Sequence, residues 1–307
     1  MDEAVRVEGL TKRFGSFTAV SDISFTVKTG EIFGILGPNG AGKTTTLEII
    51  EGLQKPSQGQ VTVLGMNVLK ESARIKSRIG VQLQSSAYFD YLSLRELLVL
   101  MGSFYGRRVD ADSLLNTVGL LDKAKSRVAK LSGGQKQRFT VAASLVNDPE
   151  LIILDEPTIG LDPQARRHLW ELIRQVHQRG VTVMLTTHYM DEAQVLCQRL
   201  AIMDHGQLVA VDTPQNLVGR LQATYTVKLV LTQALNGAQL EALQGLAASV
   251  QALEGNTYIL RLDKTPRALD KALDAIVQGN ISLEHLEVAP VTLEDVFLEL
   301  TGTELRD

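Results

Sequence analysis

The sequence predicts an α/β fold with a smaller α+β unit behind it, and three observations carry that expectation. Apolar runs such as EIFGIL, LIILD and VTVMLTT each end at a polar turn that leads into helical periodicity, the alternation expected of a parallel sheet with helices on its faces. The stretch GILGPNGAGKTTT, Gly34 to Thr46, joins one of these strands to a helix through a glycine-rich turn. Beyond about residue 220 the pattern becomes strands and two helices in the order βαββαβ, which suggests a small ferredoxin-like sandwich.

At 307 residues and 44% hydrophobic composition the chain can bury a full core, and its length suits two domains, 1–220 and 221–307. No apolar run approaches the ~20 residues that cross a bilayer. The opening MDEAVRVEGL is acidic and lacks the basic-then-apolar pattern of a signal peptide, so a cytoplasmic location is expected. A single cysteine, Cys197, leaves no intramolecular disulfide framework and reads as a packing residue. The net charge of −4 speaks against holding nucleic acid through phosphate neutralisation.

Residues 3–30 alternate between β-rich runs and turn signals, predicting an antiparallel sheet ahead of the cradle. Within it Phe14 suits either of two roles, stacking on an adenine face or plain core packing. Gly37, Gly42, Lys43 and Thr44 fit the pattern G-x-x-x-x-G-K-[ST], whose loop turns backbone N–H groups toward one point at a helix N-terminus and so binds phosphate. Lys43 is expected to reach the β/γ-phosphates and Thr44 to hold Mg²⁺. Pro38 stiffens the turn, and Gly40 and Gly42 allow backbone conformations that a Cβ would hinder. Leu47, Ile49, Ile50 and Leu53 supply the apolar face of the following helix, and residues 56–68 read as a turn and a further strand of the antiparallel sheet.

From residue 85 to 147 helical periodicity dominates, with Leu94, Leu97, Leu98 and Met101 on one face, predicting a helical subdomain. Directly before it Gln84 sits where a strand gives way to a loop, and Tyr88, Phe89 and Tyr91 follow, suited equally to core or to an exposed docking patch. LSGGQ then places Ser132, Gly133, Gly134 and Gln135 at a helix start, a second anion-binding opportunity that a simple helix cap would also explain. LIILDEP is a buried strand ending in two carboxylates, which suits Mg²⁺ coordination by Asp155 and activation of water by Glu156. Gly160 to Pro163 make a turn into another helix, and VTVMLTTH delivers His188 to the same strand edge. The other histidines, His168, His177, His205 and His285, read as structural.

In the order Phe14, GPNGAGKT, Gln84, LSGGQ, LIILDEP, GLD, His188, these pieces over roughly residues 3–218 resemble the nucleotide-binding subunit of ATP-binding cassette (ABC) transporters. That resemblance implies a P-loop NTPase fold, a RecA-like core carrying an antiparallel β subdomain and a helical subdomain. It implies that Phe14 stacks on adenine and that Gly37, Pro38, Asn39, Gly40, Ala41, Gly42, Lys43, Thr44 and Thr45 form the Walker A loop. Gln84 becomes the Q-loop glutamine, grouped with Thr44 and Asp155 at the metal; Leu131 to Gln135 become the signature, with Ser132 to Gln135 at the nucleotide; Asp162 lies in the D-loop. Glu156, His188, Gln84 and Lys43 become the catalytic set, with ATP and Mg²⁺ as cofactors. Leu83, where many members have proline, and Ile159-Gly160, where many have Ser-Ala, depart from the pattern without removing a catalytic group. The same resemblance implies a homodimer that sandwiches two ATP molecules, a separate transmembrane permease, a place on the inner face of the membrane, and no nucleic-acid partner. A soluble cassette protein of translation or DNA repair is the alternative, although such members typically carry two cassettes or a long coiled-coil insertion. A P-loop small-molecule kinase leaves LSGGQ and His188 without a role.

Thr213-Pro214 opens the last helix of the cassette. Tyr225, Val227, Leu229 and Leu231 then alternate as a strand, Leu240, Leu243 and Leu246 recur as a helix, and Glu254-Gly255-Asn256 reads as a hairpin turn before Tyr258, Leu260 and Leu262. Thr265-Pro266 opens a helix bearing Leu269, Ala272, Leu273 and Ile276, and Ile281 to Val288 closes the sheet. Thr292 and Asp295 form a capping box for a helix with Leu293, Val296, Phe297 and Leu300 on one stripe. From residue 223 onward six basic residues face twelve acidic ones, a net of −6, so this unit suits neither anionic lipid nor nucleic acid. The ending PVTLEDVFLELTG resembles that of ATPases from bacterial drug, antibiotic and polysaccharide exporters, and a dimerisation or regulatory role is expected for the unit.

Overall fold

In the computed structural model, residues 2–82 and 88–302 are described, and they divide at Pro214 into two compact units. The first begins with two long antiparallel strands, β1 (Glu3–Phe14) and β2 (Phe17–Lys28), joined at a two-residue turn. Strand β3 (Ile32–Leu36), buried throughout, runs into the glycine turn and α1 (Lys43–Ile50). Strands β4 (Gln58–Val63) and β5 (Met66–Asn67) return to the first sheet, whose order is β2-β1-β4-β5. After α2 (Ser72–Lys76) and β6 (Ile79–Gln82) comes the helical region: α3 (Leu94–Phe104), α4 (Ala111–Thr117) and α5 (Gly133–Ser144). Then follow β7 (Leu151–Asp155), α6 (Pro163–Gln178), β8 (Thr182–Thr187), α7 (Met190–Leu196), β9 (Arg199–Asp204), β10 (Gln207–Asp212) and α8 (Pro214–Arg220).

The second sheet has the order β10-β9-β3-β8-β7-β6 and is parallel except for β10. Its central strands are apolar on both faces, as a strand covered from two sides must be. One buried cluster joins the two sheets, from Val5, Leu10 and Val27 of the first to Phe33, Ile35, Ile153 and Met184 of the second. Among the described residues the first helix of this region is α3, which begins at Leu94 where Ser93 and Glu96 form a capping box. Leu94, Leu97 and Leu98 are buried as the periodicity predicts. Cys197 is buried against Gly34, where a Cβ would lie 2.5 Å from its sulfur, and burial pushes its thiol pKa up.

The second unit consists of β11 (Ala223–Leu231), α9 (Gly237–Gln244), β12 (Ala247–Leu253), β13 (Thr257–Asp263), α10 (Ala268–Gln278) and β14 (Leu283–Pro290), then α11 (Leu293–Thr301). The antiparallel order β12-β13-β11-β14 is that of a ferredoxin-like split βαβ sandwich. Its own core gathers Val227, Leu229, Leu243, Leu260, Leu262, Ala272 and Ile276. The Thr292–Asp295 capping box is present, and Leu293, Val296 and Phe297 are buried. Two expectations fail in detail: Leu246 lies past the end of α9, and Leu300, near the end of α11, is 44% exposed although its spacing puts it on the buried stripe.

Candidate active site

Parallel strands deliver their C-terminal ends to one edge, and three neighbouring strands do so here. Leu36 of β3 pairs with Thr187 of β8, and Asp155 of β7 pairs with Thr186, so the glycine turn, the Asp155-Glu156 pair and His188 emerge side by side. The turn itself depends on its glycines. Gly42, the N-cap of α1, has φ +97°, and a Cβ there would come 2.5 Å from the Ala19 carbonyl. A Cβ on Gly37 would run into the Met203 carbonyl.

Lys43 is buried at the start of α1. Its ammonium donates to the carbonyls of Gly37 at 2.7 Å and Pro38 at 3.1 Å, and lies 3.1 Å from Glu156 Oε1. The opposite carboxylate oxygen, Oε2, lies 3.3 Å from His188 Nδ1. Glu156 therefore sits between a lysine and a histidine. It adopts φ +46°, a left-handed conformation that costs a non-glycine residue about 1–3 kcal/mol and clusters at functional sites. Its backbone N–H donates to Thr186 Oγ1 at 3.0 Å, and that hydroxyl in turn donates to Asp155 Oδ1. Asp155 also accepts from Thr44 Oγ1 at 3.0 Å through Oδ2. A hydroxyl and a carboxylate at this spacing form a hard-oxygen pair suited to Mg²⁺, which takes one or two protein oxygens alongside phosphate and water.

A cavity of about 340 Å³ opens over the turn, lined by Phe14, Phe17, Ala19, Pro38, Asn39, Gly40, Gly42, Lys43, Thr44, Thr45 and Glu156. Phe14 is 46% exposed at its rim with Lys12 over its ring, so the core reading of this residue does not hold. Phe17, 63% exposed across the hairpin turn from Phe14, is a second aromatic at the rim that the sequence reading missed. Thr186 was missed as well, although a polar residue at the end of an otherwise apolar strand was the available signal. Ala41 is buried in the turn and holds it to Gly206 through a backbone hydrogen bond.

Several expected site residues lie apart from this cavity. Ser132 and Gln135 close a capping box on α5, and a Cβ on Gly134 would meet Ala165 of α6 at 3.0 Å, while Gly133 faces Leu161. Asp162 caps α6 by accepting from Gln164 and Ala165 N–H groups. None of Ser132, Gly133, Gly134, Gln135 or Asp162 lines the cavity. Gln84 lies outside the described residues. Of the aromatic trio, Tyr88 packs edge-on against Phe139, whereas Phe89 and Tyr91 are 63% and 84% exposed. A second cavity, about 260 Å³, lies where the end of α1, β6, α3 and α5 meet. Glu51, Leu53, Lys76, Met101, Tyr105 and Asn147 line it, and the trio does not.

Known proteins resemble this chain over most of its length. The profile of the ABC transporter family matches residues 20–159. The linearmycin resistance ATP-binding protein LnrL of Bacillus subtilis is 38% identical over 99% of this chain and 100% of its own length. The Nod factor export ATP-binding protein I of Rhizobium meliloti is 40% identical over 99% of this chain and 90% of its own. Among solved structures, an ATP-binding subunit of an ABC transporter superposes with a TM-score of 0.64 at 27% identity, covering 71% of this chain and 92% of that one. A dimeric ATP-binding cassette in a post-hydrolysis state, bound to ADP and phosphate, gives 0.62 at 28% identity, covering 68% and 98%. A phosphate cradle, a carboxylate pair and a histidine at one sheet edge, on a chain alike end to end with such relatives, mean that it belongs to the ABC transporter family as one of its ATP-binding, ATP-hydrolysing proteins.

Proposed function

We propose that the chain is the ATPase subunit of an exporter, working as a pair of copies on the cytoplasmic face of a separate membrane permease. The single observation that carries the chemical part is Glu156, set between Lys43 and His188 beside the Thr44–Asp155 pair. The turn from Gly37 to Thr45 cradles the triphosphate, with Phe14 and Phe17 flanking the base at the rim. Lys43 exchanges its contacts with the Gly37 and Pro38 carbonyls for β/γ-phosphate oxygens. Thr44 and Asp155 hold Mg²⁺, with Gln84 as a further ligand, and the ion neutralises phosphate charge when bound. Glu156 takes the proton of the attacking water, and His188 orients water and γ-phosphate from the opposite side.

The signature residues support a paired assembly. Ser132, Gly133 and Gly134 sit at the start of a twelve-residue helix, outside the cavity of their own chain. A phosphate presented by a second copy gives that helix start a ligand, and a two-fold axis does so twice. Asp162 completes the same face. Among the described residues no helix is long and apolar enough to cross a membrane. The cavity bounded by Leu53, Met101 and Tyr105 offers a cytoplasmic segment of that permease an apolar seat. Relatives named for resistance and export support the direction of transport.

Affinity capture of the chain from native membranes, with identification of the co-purifying membrane protein, tests this reading. A polytopic permease is the expected partner. Capture of ribosomes or DNA-repair proteins in its place would overturn it.

A further inference from the structure

Behind the turn that carries His188 lies a buried polar cluster that takes no part in the chemistry above. Glu192 of α7 is fully buried, and its Oε1 accepts from Trp170 Nε1 of α6 at 2.9 Å. The Thr158 and Thr187 hydroxyls face the same carboxyl. Thr187 Oγ1 accepts from Tyr189 N–H at 2.9 Å and so shapes the turn that holds His188. Thr158 lies two residues beyond Glu156, on the segment leading to Asp162. Both Glu192 Oε2 and Thr158 Oγ1 lack a hydrogen-bond partner of regular geometry, and both are buried.

Buried oxygens without regular partners are costly to leave apart, and the Thr158 hydroxyl, which both donates and accepts, pairs with this carboxyl in either protonation state. Burial holds the Glu192 carboxyl above the usual carboxylate range, outweighing the hydroxyl contacts and Arg166, which act the other way. Trp170 donates to one carboxyl oxygen, and the Thr158 hydroxyl lies against the same carboxyl. Nearer the surface a parallel set of contacts ties the same two elements. The Arg166 guanidinium lies 3.9 Å from the Tyr189 ring centroid and 3.4 Å from Asp191 Oδ2 of α7, and the Tyr189 ring lies tilted against His188 with centroids 4.1 Å apart.

We propose that Glu192 is a positioning residue for ATP hydrolysis, whose buried carboxyl locks the turn carrying His188 to Thr158 and to α6, the helix that Asp162 begins. Resting on the roles given above to His188 and Asp162, it goes further by making the two move as one body. The His188 side chain then reaches its working position only when the face around Asp162 is in place.

Trp170 is the single tryptophan of the chain, so its emission reports on this cluster directly. The full-length protein is compared as wild type, Glu192→Ala, Glu192→Gln, Thr158→Val and His188→Ala, with steady-state kinetics and Trp170 emission measured with and without MgATP. Glu192→Ala is expected to lower kcat by about tenfold or more while leaving KM for ATP within about twofold, because the cradle lies elsewhere. Its Trp170 emission should move to the red, and the response to MgATP should disappear. Glu192→Gln, neutral and able both to accept from Trp170 and to donate to Thr158, should recover most of the rate and keep the wild-type pH profile. Thr158→Val should lower kcat with Trp170 emission little changed, and this arm stands if Glu192→Ala does not fold. Wild-type kcat in Thr158→Val, or a Glu192→Gln variant as inactive as His188→Ala, would overturn the proposal while leaving the roles of Glu156 and His188 intact. Wild-type hydrolysis in His188→Ala would remove the reading beneath it, and the proposal with it.

Discussion

Replacing Glu156 by glutamine separates the two things this carboxylate does. As the base for the attacking water it accounts for roughly 10²–10⁴ in rate. As the buried partner of Lys43, 3.1 Å away with both side chains at most 5% exposed, it also holds the cradle together. Removing one member of a buried ion pair costs about 3–5 kcal/mol when nothing replaces it. Glutamine still offers an oxygen to Lys43, and the Gly37 and Pro38 carbonyls keep their hydrogen bonds, so about 1–3 kcal/mol is the expected loss. At roughly 2–4 °C per kcal/mol for a unit of this size, the cassette's melting temperature should fall by about 2–12 °C. MgATP supplies Lys43 with phosphate oxygens in place of the lost carboxylate and meets less negative charge, so the nucleotide-induced rise in Tm should exceed that of the wild type. Phosphate release and thermal melts on the same preparations measure both effects. A variant hydrolysing within a few-fold of wild type would show that Glu156 is not the base. An equal or smaller nucleotide-induced Tm rise would show that Lys43 does not exchange Glu156 for phosphate.

Ser132→Arg places a bulky cation at the start of α5, outside the cavity, so MgATP affinity of the monomer should be retained while ATP-driven pairing on a sizing column is lost. Retained pairing would sink the shared-site assembly. Burial, with Asp155 and Glu48 adding negative charge, pushes the Glu51 carboxyl up to about 8 from an ordinary value of 4.5. The folded chain therefore keeps a proton that the unfolded chain has already lost, so this group's effect on stability worsens as pH rises from about 4.5 to about 8 and is constant above that. Glu51→Gln, unfolded by urea in magnesium-free buffer, should stabilise the cassette by on the order of a few kcal/mol at pH 8.5 and hardly at all at pH 4.5; equal gains at both would contradict the shift. Truncation after Gln222 removes a unit with its own core and leaves the cassette cluster whole, so nucleotide binding should persist. Dimer formation or the basal ATPase rate should change, and a truncated protein matching the full chain in both would deny the second unit a role in either.

Much of this protein was legible in its residues because the informative signals are local. A phosphate cradle needs glycines at fixed spacing and a lysine one step into a helix, and Gly37, Gly42, Lys43 and Thr44 obey that within eight positions. Unbroken apolar runs ending in Asp155-Glu156 or His188 identify buried parallel strands and the edge where their polar residues emerge, and the βαββαβ order of the second unit follows from its alternation. Contacts between residues distant in sequence were decided only by packing. Strand order sets Glu156 between Lys43 and His188, which no spacing reveals, since these residues lie more than a hundred and more than thirty positions from it. Phe14 could be assigned only by its exposure, and Tyr88 left its neighbours Phe89 and Tyr91 because Phe139 of another helix offers it a ring to pack against. Nothing in the local sequence sets Glu51 and Glu192 apart from the other acidic residues. Their chemistry comes from the elements folded over them, because burial is a property of the assembled layers, and it is burial that raises the pKa of each carboxyl.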